Sequence, residues 1–361
     1  MEFTAAERHA MRRALEIART PGVPYGPNPR VGCVLLAPDG TEVAEGYHRG
    51  AGTPHAEVAA LIEAGDAARE ATAVVTLEPC HHTGRTGPCT EALLAAGVKR
   101  VVFAQPDPNP VARGGEAALR AAGVEVDFGL LEREARELNR AWTFAVEHHR
   151  PFVTWKVGTT LDGRTAAADG TSRWITSRAA RVDSHRLRAQ CDVIMVGTNT
   201  VTVDDPELTV RDEYDDLLPH QPLRAVVGKR DIDPDRRVLN DRAETVQLRS
   251  HDPHEVLTEL YGNGRRHVFL EGGAALAAAF LREGLVDEVV AYVAPAFLGA
   301  GAPAVGDLGI GTVADTLRFR VADATTVGRG AETNVRIIMT PTDARGDFPG
   351  ETVGAPDPRR S

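Results

Sequence analysis

The chain is poor in aromatic residues, 5% of its 361 positions, and it has no excess of positive charge. Its formal charge at pH 7 is −10, which argues against nucleic-acid binding through a bulk basic surface. No apolar run reaches the roughly 18 residues of a membrane span. The opening residues Met1-Glu2-Phe3-Thr4-Ala5-Ala6-Glu7-Arg8 lack the basic and apolar blocks of a secretory signal. Cysteine is scarce, with four in all, and two of these are tied to a His-Glu motif. That pattern points to metal chemistry in a reducing compartment, so the cytoplasm is the expected location. Otherwise the composition is that of an ordinary soluble protein, 42% hydrophobic and 25% charged. At about 100–200 residues per domain, the length predicts two domains.

What the sequence does have is concentrated between His55 and Cys89. His55-Ala56-Glu57 places an imidazole two residues before a carboxylate, and Cys80 and Cys89 follow as thiols. One His nitrogen and two thiolates suit Zn²⁺ and leave a fourth tetrahedral position for water. The metal lowers that water's pKa, and a carboxylate beside it can carry the proton to a leaving amine. H-x-E followed by P-C-x-x-C is the signature of zinc deaminases. Here the spacing departs from it, with eight residues between the thiols. His81 and His82 lie between the two cysteines, but His55, Cys80 and Cys89 already make a complete open site. Cys33 and Cys191 stand in or beside apolar runs and read as small core residues. The competing reading is a zinc-stabilised binding protein. A structural site is closed by four protein ligands, whereas only three strong ones are evident, and Glu57 would lack a purpose.

Read in order, Thr4 with Glu7 forms a capping-box pattern ahead of an amphipathic helix, Thr4 to Arg19. Residues 21–29 form a Pro- and Gly-rich loop. Strands Val31–Leu36 and Glu42–Tyr47 flank a Pro38-Asp39-Gly40 turn. His55 opens a helix that runs to about Ala64. His55 and Glu57 would lie about 200° apart on that helix, so convergence requires His55 in its first turn, behind Pro54. Strand Ala73–Leu77, helix Cys89–Ala96, strand Val101–Ala104, helix Glu116–Ala122, strand Val124–Phe128 and helix Leu131–Val146 complete an α/β layer sandwich. Cys89 at a helix start is expected to have a lowered pKa. Residues 1–146 thus read as a first domain and 147–151 as a linker.

Residues 152–340 have a different character. Strand Phe152–Gly158 and a turn through Arg164 precede helix Ser177–Ala189 and strand Asp192–Val196. A long loop, 197–210, leads towards strand Leu223–Val227. Arg265 to Gly273 passes from strand into a helix, Ala274 to Arg282. Two glycines at such a turn let the backbone approach an anion, and the helix N-terminus attracts it. The G-x-G-x-x-G fingerprint is absent, and a Gly-Gly turn by itself is more often a packing device. Val286–Ala294 and Leu317–Met339 supply later strands. Residues 341–361, rich in Pro, Gly and Asp, read as a disordered tail.

These residues carry a resemblance to the bifunctional riboflavin biosynthesis deaminase–reductases. It rests on His55-Ala-Glu57, Thr76-Leu-Glu-Pro-Cys80, Gly84-Arg-Thr-Gly-Pro-Cys89 and Asp107-Pro-Asn-Pro110. In the second half it rests on Leu161-Asp-Gly-Arg-Thr165, Ser172-Arg-Trp-Ile-Thr176, Asp204-Asp-Pro206 and Glu271-Gly-Gly273. The match runs in the family's order over about residues 1–340, and the family shares the eight-residue spacing. Gly87 departs from it, since relatives often carry a second proline there.

The resemblance implies a cytidine deaminase-like three-layer sandwich followed by a dihydrofolate reductase-like domain. It implies zinc-dependent deamination of 2,5-diamino-6-(5-phosphoribosylamino)pyrimidin-4-one, then NADPH-dependent reduction of the ribosylamino side chain. Asn28, His48, His82 and Arg85 would hold the first substrate. Gly158, Trp174, Thr200, Asp204 and the helix start Gly273, Ala274, Ala275, Leu276, Ala277, Ala278 and Ala279 would hold NADPH. Ser172, Arg188, Leu208, Arg211 and Glu271 would hold the second substrate. Arginines suit phosphate, and Lys229, just past a strand end, could meet the cofactor's 2′-phosphate. No residue is an obvious proton donor for the reduction. The expected partners are small phosphoribosylated pyrimidines and a second copy of the chain in a homo-oligomer, with neither nucleic acid nor membrane. The alternatives are a deaminase whose second half no longer reduces and, less favoured by the acidic balance, a deaminase acting on nucleic acid.

Overall fold

The computed structural model describes residues 2–83 and 87–342. The expected tail lies outside the described residues from position 343 onward.

The capping box forms as expected: the Glu7 amide donates to Thr4 Oγ1 at 3.1 Å and the Thr4 amide to Glu7 Oε2 at 2.7 Å. It starts α1 (Ala5–Ile17), whose Ala10, Met11 and Ala14 pack on one face of a five-stranded sheet. The strands are β1 (Gly32–Leu36), β2 (Glu42–Tyr47), β3 (Thr72–Leu77), β4 (Arg100–Gln105) and β5 (Glu125–Phe128), in the order β2-β1-β3-β4-β5. Helices α2 (Ala56–Ala64), α3 (Cys89–Ala95) and α4 (Gly115–Ala121) follow in the chain. Ala56, Ala60, Leu93 and Leu119 from these three pack with Cys33, Leu35 and Val75 on the opposite face. Successive side chains of a strand point to opposite faces, so Val34 and Leu36 meet α1 while Cys33 and Leu35 meet α2. All five β1 residues are buried, as expected of a strand covered on both sides.

The helix expected over Leu131–Val146 is two helices, α5 (Glu132–Leu138) and α6 (Arg140–His148). The break is Asn139, which is buried and leaves helical geometry at φ −111° and ψ 22°. Its Oδ1 accepts from the Arg30 amide at 2.8 Å and its Nδ2 donates to the Arg30 carbonyl at 2.9 Å. The side chain thereby serves the backbone of the segment entering β1, a tertiary demand that helix periodicity does not reveal.

The second half is built on β6 (Phe152–Thr160), α7 (Arg178–Arg188), β7 (Val193–Gly197), α8 (Thr198–Asp204), β8 (Leu223–Val227), β9 (Thr245–Leu248), α9 (Pro253–Gly262), β10 (His267–Leu270), α10 (Ala274–Arg282), β11 (Glu288–Ala294), β12 (Phe319–Val327) and β13 (Asn334–Pro341). Its eight strands run β12-β13-β11-β6-β10-β7-β8-β9. The stretch from β11 to β9 is parallel, and β12 and β13 add an antiparallel edge. Residues 198–204 are helical where a loop is expected. Thr and Val have low helix propensity, but Val201 is pinned in the core with Ile194 and Val226. The α9 helix begins with Pro253 after Asp252, whose Oδ1 accepts from the His254 amide at 2.8 Å.

The two halves meet through charge. Arg150 grips both carboxylate oxygens of Asp287 at 2.6 and 2.7 Å, and Arg140 reaches Glu288 at 2.7 Å. Among the described residues no helix is long and apolar enough to cross a membrane.

Candidate active sites

The loop between β2 and α2 delivers His55, and one feature of it differs from expectation. His55 is not in the first turn of α2. It is the residue that caps it, with extended backbone at φ −66° and ψ 161°. Standing outside the helix, it escapes the periodicity that would turn it away from Glu57. The end of β3 delivers Cys80, and the start of α3 delivers Cys89. His55 Nδ1 lies 3.2 Å from Cys89 Sγ and 3.6 Å from Cys80 Sγ, and the three donor atoms fall within 4.8 Å of one another. Tetrahedral zinc with bonds of about 2.0–2.3 Å requires ligand separations of roughly 3.3–3.8 Å, so the set fits. Among the described residues no other group of His, Cys, Asp or Glu side chains converges in this way.

The thiols divide their proton unequally. Cys80 is driven down to about 4, chiefly by the hydrogen bond from Cys89 and, against burial, by His55 and the Cys89 amide. Cys89 is raised by donating to Cys80 and by burial. Donation to Cys80 and burial work against the lowering expected of Cys89 at a helix start. Glu57 is only 3% exposed, and burial pushes its carboxyl up to about 6.

Glu57, His55 and Cys80 border a cavity of 600 Å³ that Asn28, His48, His82 and Trp142 also line. The His48 ring is fixed by hydrogen bonds at both nitrogens. Nδ1 donates to the Pro54 carbonyl at 3.1 Å, so Nε2 accepts from Asn28 Nδ2 at 3.0 Å. Burial lowers its pKa and keeps the ring neutral. His82 has a buried Nδ1 without a partner among the described residues. A buried ring nitrogen of that kind fits a ligand's polar group. Arg85 lies outside the described residues. His81 instead places Nδ1 3.0 Å from Thr90 Oγ1, away from the donor cluster. Cys33 is a core residue on β1, and Cys191 is buried beside β7.

Sequence reasoning left Glu78 and Asp107 without roles. Glu78 is buried, and its two oxygens accept from the amides of Asp107 at 3.1 Å, Gly114 at 3.0 Å and Glu116 at 3.1 Å. This carboxylate holds the Asp107-Pro108-Asn109-Pro110 loop against the cavity. Gly115 allows the close approach, since a Cβ there would stand 1.9 Å from the Pro79 carbonyl oxygen. Asp107 is pushed up to about 7 by burial and by the neighbouring acids. Both residues sit in quoted motifs, and that was the available signal.

In the second half, Glu271 directly follows β10 and is paired with Arg188 of α7 through both guanidinium arms, the Nη2 contact measuring 2.7 Å. Arg188 Nη1 also donates to the Thr209 carbonyl at 3.0 Å. Burial alone would raise the Glu271 carboxyl, but Arg188 and Lys156 outweigh it and bring it to about 2. Arg211 is engaged by Glu207 at 2.6 Å, and its amide donates to His185 Nδ1 at 3.1 Å. Leu208 is buried nearby in the core formed with Val201. Gly273 caps α10, and among the described residues no side chain caps that helix start, an arrangement that suits an anion. Thr200 Oγ1 lies 3.7 Å from where a Cβ on Gly273 would stand, joining Thr200 to the same cradle. Gly158 packs under Thr176, and Arg173 donates to the Asp204 carbonyl at 2.5 Å. Trp174 is 67% exposed with Arg181 stacked 4.1 Å from its ring, and Lys229 is also exposed. Ser172 is half-buried, two residues before Trp174.

Comparison with known proteins follows the same division. The model of the cytidine and deoxycytidylate deaminase zinc-binding region matches residues 4–105, and that of the RibD C-terminal domain matches residues 151–332. The riboflavin biosynthesis protein RibD of Mycobacterium tuberculosis is 49% identical over 321 residues, spanning 88% of this chain and 94% of its own. The chain belongs to the RibD family. A solved RibD structure from Acinetobacter baumannii superposes with a TM-score of 0.86 at 38% identity, covering 93% of this chain and 99% of that one. A diaminohydroxyphosphoribosylaminopyrimidine deaminase/5-amino-6-(5-phosphoribosylamino)uracil reductase from Thermotoga maritima follows at 0.82 and 31%, again covering 93% and 99%.

As a RibD protein the chain is a two-domain enzyme of riboflavin biosynthesis, a zinc-binding deaminase joined to an NADPH-dependent reductase. The expected fold classes of both halves hold. Lys156, on β6, is a residue that sequence reasoning missed in the RibD reductase half: burial lowers its pKa, and it faces Glu271 and Arg188 electrostatically. Nothing about an isolated lysine in an apolar strand announces this.

Proposed function

We propose that the first half deaminates 2,5-diamino-6-(5-phosphoribosylamino)pyrimidin-4-one and that the second reduces the product's ribosylamino chain to a ribitylamino one. The observation that carries the reading is the convergence of His55, Cys80 and Cys89 beside buried Glu57 at one wall of a substrate-sized cavity. His55, Cys80 and Cys89 would hold Zn²⁺, which supplies an acidified water at neutral pH. Glu57 takes that water's proton and delivers it to the departing ammonia as the oxygen adds to the amino-bearing ring carbon. Asn28, His48 and His82 orient the ring, with His48 neutral and its tautomer fixed. Arg85 completes this set.

In the second half NADPH supplies the hydride. Gly158, Trp174, Thr200, Asp204, Lys229 and the Gly273 to Ala279 helix start bind the cofactor. Ser172, Arg188, Leu208, Arg211 and Glu271 bind the substrate, with Glu271 fixing the Arg188 guanidinium. The domains divide as 1–146 and 152–340, and the protein works as a homo-oligomer in the cytoplasm without nucleic-acid or membrane partners.

The test follows ammonia release and NADPH oxidation together on the phosphoribosylaminopyrimidine. Glu57→Gln should lower ammonia release by about 10²–10⁴-fold, the usual range for a general acid–base group. Supplying deaminated intermediate should restore NADPH oxidation in that variant. Ammonia release at the parent rate in Glu57→Gln would remove Glu57 from the chemistry. Ammonia without NADPH oxidation, even from supplied intermediate, would leave the second half without a reductase role.

A further inference from the structure

The cavity of the first half is not lined by the first half alone. Tyr261, on α9, and Arg266, just ahead of β10, stand in the same wall as His149 and Asn109. We propose that Arg266, positioned by Tyr261, binds the phosphate of the substrate being deaminated, so that the second half completes the deaminase pocket. The proposal rests on the deaminase function given above and adds a specificity residue to it.

Three observations carry it. First, the guanidinium is held in place without being neutralised. Its Nη1 donates to the Tyr261 and Arg265 carbonyls, each at 3.0 Å, and its carbon sits 4.3 Å from the Tyr261 ring centre. Among the described residues no carboxylate lies within ion-pair distance of it. Its neighbours differ: Arg140 holds Glu288, Arg150 holds Asp287 and Arg265 holds Glu244. A stacked guanidinium with Nε and Nη2 still available is the fork that suits a phosphate.

Second, its backbone is tied to the loop that carries Asn28. The Arg266 amide donates to Asp192 Oδ2 at 2.7 Å. That same oxygen would stand 2.3 Å from a Cβ on Gly26, so only glycine lets the two segments close. The carboxylate of Asp192 thus fixes the Arg266 wall relative to the opposite lip.

Third, the charges are segregated. Glu57, Glu78, Asp107 and Cys80 line the metal-ligand end of the cavity, and Arg266 is the cation contributed by the second half. A pyrimidine bearing a phosphoester is oriented by such a field, with its amine towards Glu57 and its dianion towards Arg266.

The experiment compares the phosphoribosylaminopyrimidine with its dephosphorylated riboside in parent, Arg266→Gln and Arg266→Lys enzymes. For a charge-assisted contact, Arg266→Gln should raise KM for the phosphorylated substrate by about 10- to 100-fold with kcat little changed, and Arg266→Lys should recover part of the loss. On the riboside, parent and Arg266→Gln should match. Reduction of supplied intermediate monitors the integrity of the whole chain. An unchanged KM, or an equal rise on both substrates, overturns the proposal, the second outcome meaning that Arg266 only braces the junction. If the parent itself releases no ammonia, the deaminase reading fails on its own. Equilibrium dialysis of ribose 5-phosphate then decides the contact: Arg266→Gln should lose one bound equivalent per chain, and identical binding overturns it.

Discussion

The two candidate sites differ in how the chain assembles them. The first takes its metal-ligand set from one segment, His55 to Cys89, using residue types that few other roles demand. The second gathers Lys156, Arg188, Thr200, Glu271 and Gly273 from the ends of separate strands and helices, and each of these residue types is common elsewhere. A site made of rare donors is legible in sequence. A site made by topology is not.

The sharpest way to break this comparison is to empty one site and watch the other. Cys80→Ser removes one of three protein donors and the thiolate that takes the lowest pKa of the pair. Bound zinc and ammonia release should both fall to background, while reduction of supplied intermediate stays within about twofold, as expected for sites that share no contacts. Metal content measured beside the two assays checks this. A parallel loss of reduction would mean that zinc supports the whole fold and that the halves are not separable.

A smaller effect separates binding from stability in the second half. Arg188→Met leaves Glu271 buried beside Lys156 without its bidentate partner, which should destabilise the protein by about 3–5 kcal/mol. Replacing both members, Arg188→Met with Glu271→Leu, should recover part of that loss, because the carboxylate is no longer stranded while Lys156 still loses its counter-charge. Reduction should remain lost in both variants if Arg188 binds substrate. Full reduction in the double variant would make the pair a structural brace alone. Denaturant midpoints beside NADPH oxidation read the two outcomes.

The same contrast explains which elements were legible. The capping box at Thr4, the apolar run of β1 and the helix at Cys89 follow from local chemistry, and all three form. Asn139 breaks a helix because Arg30, far away in sequence, needs its amide group. Residues 198–204 turn helical because Val201 is buried, against the preference of its β-branched neighbours. His55 meets the thiols by stepping out of the helix that periodicity assigned it to. Arg266 was invisible as a pocket residue because only the docking of two sheets brings it to the first cavity. In each case a distant contact outweighed a local rule, and the distant contact cannot be read from spacing.

The smallest predicted effect concerns the seam between the halves. His267 lies next to that seam on β10, with Thr154 Oγ1 2.9 Å from its Nε2. Burial, with Arg140 nearby, lowers its pKa to about 3, so the folded protein keeps the ring neutral. An unfolded histidine takes up a proton below about 6.5, so this contribution is complete above that pH and is lost as the pH falls towards 3. By pH 5 it should amount to about 1–2 kcal/mol. Asp192, raised to about 6 by burial, acts with the opposite sign. Its folded form binds a proton more readily than the unfolded chain does, so it favours the folded state as the pH falls from 6 towards 4. The parent profile between pH 7 and 5 therefore sums opposed contributions, with Glu57 and Asp107 acting in the same sense as Asp192, and only the difference between parent and variant isolates His267. His267→Gln removes the titrating ring and keeps a hydrogen-bonding group for Thr154. Thermal unfolding should show that variant gaining stability relative to the parent on acidification from pH 7 to 5. Parallel profiles would show that His267 does not govern the acid response of the seam.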